Sequence, residues 1–113
     1  MQSRSELTLS TFYCLKADEI YNTLKEIEIP IFIKNYRLTL GEDMYRIGEY
    51  EKCIGYTKKG LANYADTSVE TTYWRIRYLN TIGQAYKQLR LLDSAMNWYQ
   101  QSMQVAYKLN ETV

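Results

Sequence analysis

Apolar positions recur at steps of three and four along almost the whole chain. From Val69 they fall at Val69, Tyr73, Ile76, Leu79, Ile82, Tyr86 and Leu89, a spacing that traces one face of a helix with its 3.6-residue turn. Thr67 and Glu70, in "TSVE", have the spacing of a capping box and place the start of this helix near Ser68. A break is expected near Leu91, with Asp93 as N-cap of a following helix that carries Ala95, Met96, Tyr99, Met103, Ala106 and Tyr107 on one face. Earlier in the chain Pro30 stands where a helix can begin. Leu38, Leu40, Gly41 and Met44 follow on its inner side, Gly48 supplies a stop, and a further helix is expected from about Glu49 to Tyr64. "LTLSTFYCL" and "KADEIYNTLKEI" read as two more helices, parted around Lys16. No segment sustains the alternation of a strand. The pattern predicts an all-α chain of six helices arranged as three antiparallel pairs.

The two later pairs also align with each other. Leu40-Gly41 matches Ile82-Gly83 at an offset of 42 residues, from Gly41 to Gly83. At the same offset Met44 matches Tyr86, Cys53 matches Ala95 and Thr57 matches Tyr99, while Gly48 and Tyr50 at the turn match Arg90 and Leu92. Small residues recur where two helices cross closely, because only a slim side chain lets the backbones approach. Large residues recur where the gap beside that crossing has to be filled. The predicted core is therefore Leu40, Gly41, Cys53, Ile82, Gly83, Tyr86, Ala95 and Tyr99.

This arrangement resembles the tetratricopeptide repeat (TPR). The last repeat keeps Leu79, Ile82-Gly83, Tyr86, Ala95 and Tyr99, with Ser102 at the final small position and Arg90 where the family has its turn glycine. The middle repeat keeps Leu40-Gly41, Gly48, Tyr50 and Cys53 and departs at Arg37 and Thr57. The first pair keeps only Ala17 and Tyr21. The resemblance implies a single domain over residues 1–113: a degenerate hairpin over 1–29, a repeat over 30–67 and another over 68–109, stacked as a right-handed solenoid. The period is longer than the family's usual repeat of about 34 residues, by about one helical turn in each helix. Long repeats of this kind are similar to those of bacterial peptide-sensing regulators and of adaptors that clasp peptides. No polar capping helix follows Leu109, so the chain is expected either to be part of a longer protein or to pair with another copy.

The resemblance also implies where a ligand would sit, because the first helix of each pair lines the concave surface of such a stack. Carried over position by position, the lining residues are Asn35, Leu38, Glu42, Tyr45 and Arg46 in the middle repeat. In the last they are Arg77, Asn80, Gln84, Lys87 and Gln88, with Tyr73 one turn earlier. The last set shares a helix face and is rich in amides. Asn and Gln each offer a donor and an acceptor, which suits the backbone of an extended peptide. The resemblance thus implies a protein- or peptide-binding module, with assembly of a scaffold without a peptide as the alternative. Thr39 and Thr81 stand where a clamp for a terminal carboxylate would need Asn and Arg, and only Arg77 fits one.

Composition narrows the remaining classes. The 113 residues carry a formal charge of +1 with both signs mixed, unlike the clustered basic face that contacts nucleic acid. There is no apolar run long enough to span a membrane and no apolar leader. Cys14 and Cys53 lack CxxC spacing and read as reduced thiols of a cytoplasmic protein. Histidine is absent, which removes the commonest general base and metal ligand. The carboxylates Asp18/Glu19, Glu42/Asp43 and Glu49/Glu51 are adjacent or alternate, do not converge on a helix, and read as solvated charges. No enzyme activity, cofactor or metal is expected.

Overall fold

The computed structural model describes residues 9–23, 35–64 and 69–112. These form five helices: α1 (Leu9–Thr23), α2 (Tyr36–Arg46), α3 (Tyr50–Leu61), α4 (Val69–Gln88) and α5 (Leu92–Thr112). No strand occurs among the described residues. The two later pairs fall at the expected places. α1, however, runs without a break through Lys16, where two helices were expected. Nothing in "CLKADEIY" interrupts a helix, since Leu, Lys, Ala and Glu are all good helix formers. Most of the expected second helix, residues 16–23, is thus part of α1, while its end at residues 24–27 and the start at Pro30 lie outside the described residues. α3 ends at Leu61, short of Tyr64, and α5 begins at Leu92 with Asp93 inside its first turn.

The two interhelical turns are the same structure repeated. Gly48 takes φ 86° and Arg90, 42 residues on, takes φ 64°. At the first turn the Gly48 N–H donates to the Tyr45 carbonyl (3.1 Å) and the Glu49 N–H to that of Met44 (2.8 Å). At the second, Arg90 N–H donates to Lys87 and Leu91 N–H to Tyr86, both at 3.0 Å. This pairing closes the orphan carbonyls of a helix end around one left-handed residue. The next helix then starts at once, with Cys53 N–H on the Glu49 carbonyl and Ala95 N–H on that of Leu91.

The glycines at the helix crossings match in the same way. A Cβ on Gly41 would collide with the Thr57 methyl group. One on Gly83 would meet the edge of the Tyr99 ring at 3.0 Å. Thr57 itself is buried, and its hydroxyl is partnered by donating to the Cys53 carbonyl at 2.6 Å.

The core has two parts. Leu40, Met44, Ile47, Cys53, Ile54 and Ala85 form one, with Cys14 and Leu15 of α1 and Tyr86 and Leu89 of α4 against it. Leu38, Tyr64 and Tyr78 form the other, flanked by Leu61 and Trp74. Each helix from α2 onward packs against the next, α1 packs on α2, and α2 also touches α4. Of the predicted core, Leu40, Gly41, Cys53, Ile82, Gly83 and Ala95 are buried, whereas Tyr86 and Tyr99 are only partly so.

Two carboxylates expected to be solvated are buried instead. Asp43 accepts from the Thr11 hydroxyl of α1 and from Arg46 Nη2 (2.6 Å). Asp18 of α1 accepts from Tyr36 Oη (2.8 Å) and Arg37 Nε (3.0 Å) of α2. These bonds pin α1 to α2 and keep both charges partnered, which a buried carboxylate requires.

Candidate functional site

The face shared by α2 and α4 is built from helical spacing on each and joined by two contacts between them. On α4, Tyr73, Arg77, Asn80, Gln84 and Lys87 follow one another at steps of four and three and so share one face. The opposite side of the same helix carries Tyr78, Leu79, Ile82 and Ala85 into the core. On α2, Glu42 and Tyr45 stand next to that α4 face. Arg77 Nη2 lies 3.1 and 3.3 Å from the two Glu42 carboxylate oxygens. Gln88 Nε2 donates to Tyr45 Oη at 3.2 Å. Both pairs bridge 35 to 43 positions of sequence and bring the two expected rows together.

Two of the expected lining residues stand elsewhere. Asn35 is buried, and its side-chain oxygen accepts from Tyr64 Oη at 2.5 Å and Tyr78 Oη at 3.3 Å. It precedes α2 as a cap residue would, but its side chain makes no cap bond. The two tyrosine hydroxyls are buried donors and take that oxygen instead. Leu38 is 2 % exposed against the same two rings. Arg46 stays exposed one turn after Glu42 on α2, paired with Asp43. The candidate face is therefore reduced to Glu42, Tyr45, Arg46, Tyr73, Arg77, Asn80, Gln84, Lys87 and Gln88.

The electrostatics of this face are mild. Arg77 and Glu42 neutralise each other while both remain about two-fifths exposed, where solvent leaves such a pair worth at most about 1 kcal/mol. The Arg77 guanidinium also lies 5.3 Å from the centre of the Trp74 ring, and Trp74 meets Tyr73 edge to face at 5.5 Å. Among the described residues, Asn80, Gln84 and Lys87 make no side-chain hydrogen bond or ion pair, so their polar atoms are open to a ligand. Trp74 was not among the expected lining residues. Its step of three before Arg77 was the signal that could have found it, since that spacing puts the indole beside the guanidinium.

A second cluster lies across α3, α4 and α5. Lys58 Nζ donates to Tyr86 Oη at 2.7 Å and sits 5.2 Å from the centres of both the Tyr86 and Trp98 rings, which stack on each other. This cluster is self-satisfied and ties the three helices together. Burial pushes the Cys53 thiol up to about 12, with Glu42 adding to the shift, so it stays protonated and unreactive at neutral pH. Among the described residues no three acidic or cysteine side chains gather as a metal site would require. No helix among them is long and apolar enough to cross a membrane.

Comparison with known proteins returns no match: no family model, no curated protein and no solved structure matches the chain.

Proposed function

We propose that the chain is a helical-repeat binding module in which α2–α3 and α4–α5 are successive hairpins of a right-handed, TPR-like stack. The α2/α4 face takes an extended peptide or an extended segment of a partner protein. The observation that carries this reading is the row of open polar side chains on α4, flanked by aromatic rings and joined to α2 by Glu42–Arg77 and Tyr45–Gln88. From Tyr73 to Gln88 the row rises about 22 Å along the helix at 1.5 Å per residue. That is the length of about six or seven residues of extended chain. Asn80 and Gln84 pair with the peptide backbone as donor and acceptor. Tyr45 and Tyr73 pack on apolar side chains, and Lys87 meets an acidic group. Arg77, already held by Glu42, orients the Trp74 ring more than it seeks a charge. Within this class, the resemblance favours the peptide-sensing domain of a bacterial regulator.

Selection from a random peptide library on the immobilised protein tests the reading. Peptides retained by the wild type should bind Asn80→Ala or Gln84→Ala more weakly, by up to roughly a hundredfold for a lost backbone pair. Helicity should not change, because neither side chain contributes to the core. A folded wild type that retains no peptide would refute the groove.

A second reading, assembly of copies into a scaffold, is favoured by the exposed apolar surface of α5.

A further inference from the structure

α5 was expected to carry one apolar face, but the structure divides it. Ala95 and Ser102 turn inward and are buried. Leu92, Met96, Met103 and Tyr107 turn outward and are 62 %, 59 %, 66 % and 73 % exposed. Steps of four, seven and four residues keep these side chains in one narrow stripe. Met103, Ala106, Tyr107 and Asn110 border a shallow, open groove on the surface of this helix.

The internal repeat shows what kind of partner such a stripe receives. At the 42-residue offset Met96 corresponds to Ile54 and Met103 to Leu61. In α3 those positions are covered or half-covered: Ile54 is buried in the cluster that contains Ala85 of α4, and Leu61 is half-buried against the cluster that contains Tyr78 of α4. α4 runs antiparallel to α3, since Lys58 meets Tyr86 while Tyr64 meets Tyr78 further back along α4. The matching surface of α5 is thus shaped for an antiparallel helix.

The stripe itself has the symmetry of such a pairing. Leu92 and Tyr107, and Met96 and Met103, lie at equal sequence distances on either side of the bond between Tyr99 and Gln100. Two copies of α5 laid antiparallel about a two-fold axis at that bond place each Met96 on Met103 of the second copy and each Leu92 at Tyr107, beside the groove. A two-fold interface requires this self-complementarity. The four side chains from both copies supply apolar area on the order of 1,000 Å², near the lower bound for a specific contact. Net charge of +1 gives little repulsion between copies.

We propose that α5 is a homodimerisation helix that pairs with α5 of a second copy, antiparallel, through Leu92, Met96, Met103 and Tyr107. This surface is separate from the α2/α4 face, so the dimer leaves the peptide face free.

Two measurements test it. Light scattering across a concentration series should show the wild type passing from monomer to dimer. Met96→Glu combined with Met103→Glu should stay at about half the dimer mass with unchanged helical circular dichroism. Orientation is tested by disulfide trapping in a Cys14→Ser background, leaving only the buried Cys53. A mixture of Met96→Cys and Met103→Cys proteins should cross-link between the two variants, Gln100→Cys should cross-link to itself, and Met103→Cys alone should not. A wild type that stays monomeric at about millimolar concentration would overturn the proposal, and the stripe would then belong to a helix of a different partner. Self-linking of Met103→Cys would overturn the antiparallel arrangement.

Discussion

Replacing Arg90 by glycine isolates the strain at the second interhelical turn. Arg90 holds φ 64° at the position where the first turn has Gly48 at 86°. A side chain in the left-handed region costs about 1–2 kcal/mol. Glycine relieves this but adds freedom to the unfolded chain, which offsets about 0.4–1 kcal/mol. Arg90 also puts a cation at the C-terminal end of α4, a favourable placement of about 0.3–1 kcal/mol that the substitution removes. The useful comparison is therefore Arg90→Gly against Arg90→Ala, since both lose the charge and only alanine keeps the Cβ. Arg90 is exposed, so little packing is lost in either variant. Glycine should be the more stable by about 1 kcal/mol. With an unfolding entropy near 2.1 cal/mol/K per residue, that is about 4 °C in melting temperature for a chain of 113 residues. Gly48→Ala should shift the melting temperature by a similar amount in the opposite direction. Thermal and urea melts followed at 222 nm measure all three variants. Equal midpoints for Arg90→Gly and Arg90→Ala, or a neutral Gly48→Ala, would refute the equivalence of the two turns.

Three further outcomes follow from the packing. Gly41→Ala should destabilise by about 1–3 kcal/mol, because its Cβ meets the Thr57 methyl group within a packed crossing. Gly83→Ala should cost less, since the Tyr99 ring edge at 3.0 Å has room to shift, and urea midpoints of the two variants give the order. Asn35→Ala should cost about 1–3 kcal/mol by removing the buried oxygen that the Tyr64 and Tyr78 hydroxyls share, and much of that loss should be recovered when Tyr64→Phe is added, a double-mutant cycle in chemical denaturation. Burial raises the Cys53 thiol from 9.0 to about 12 and lifts the Tyr36 and Tyr78 phenols above their ordinary 10.0. The folded state therefore holds protons that the unfolded state releases. Their contribution is intact below about pH 9 and is lost as pH rises through the folded values, so stability should decline from about pH 9 upward in a pH series of melts.

Much of the local architecture was legible because its causes are local. Steps of three and four gave helices, and Gly48 marked a left-handed turn. The 42-residue match located the second turn even though Arg90 lacks the glycine that usually signals it. The crossing glycines were legible for the same reason, since a missing Cβ matters wherever the same crossing recurs. The α4 row of the candidate site came from the repeat resemblance, and helical spacing puts its residues on one face. Its α2 row was only half legible: Glu42 and Tyr45 meet α4, but Asn35 and Leu38 are drawn into the core by Tyr64 and Tyr78, which stand 26 to 43 positions away in sequence.

Sequence by itself determined which residues share a helix face, where the last two hairpins turn, and that small residues sit at their crossings. Only the tertiary structure decided which arc of each face meets a neighbour. It buried Asp18 and Asp43 because α1 and α2 bring them hydroxyl and guanidinium donors. It split the apolar face of α5, burying Ala95 and exposing Met96 and Met103. The physical reason is that periodicity sets the angle of a side chain about its own helix axis, whereas burial depends on where the next helix lies. One neighbouring helix covers only part of a wide apolar arc, and no local pattern says which part.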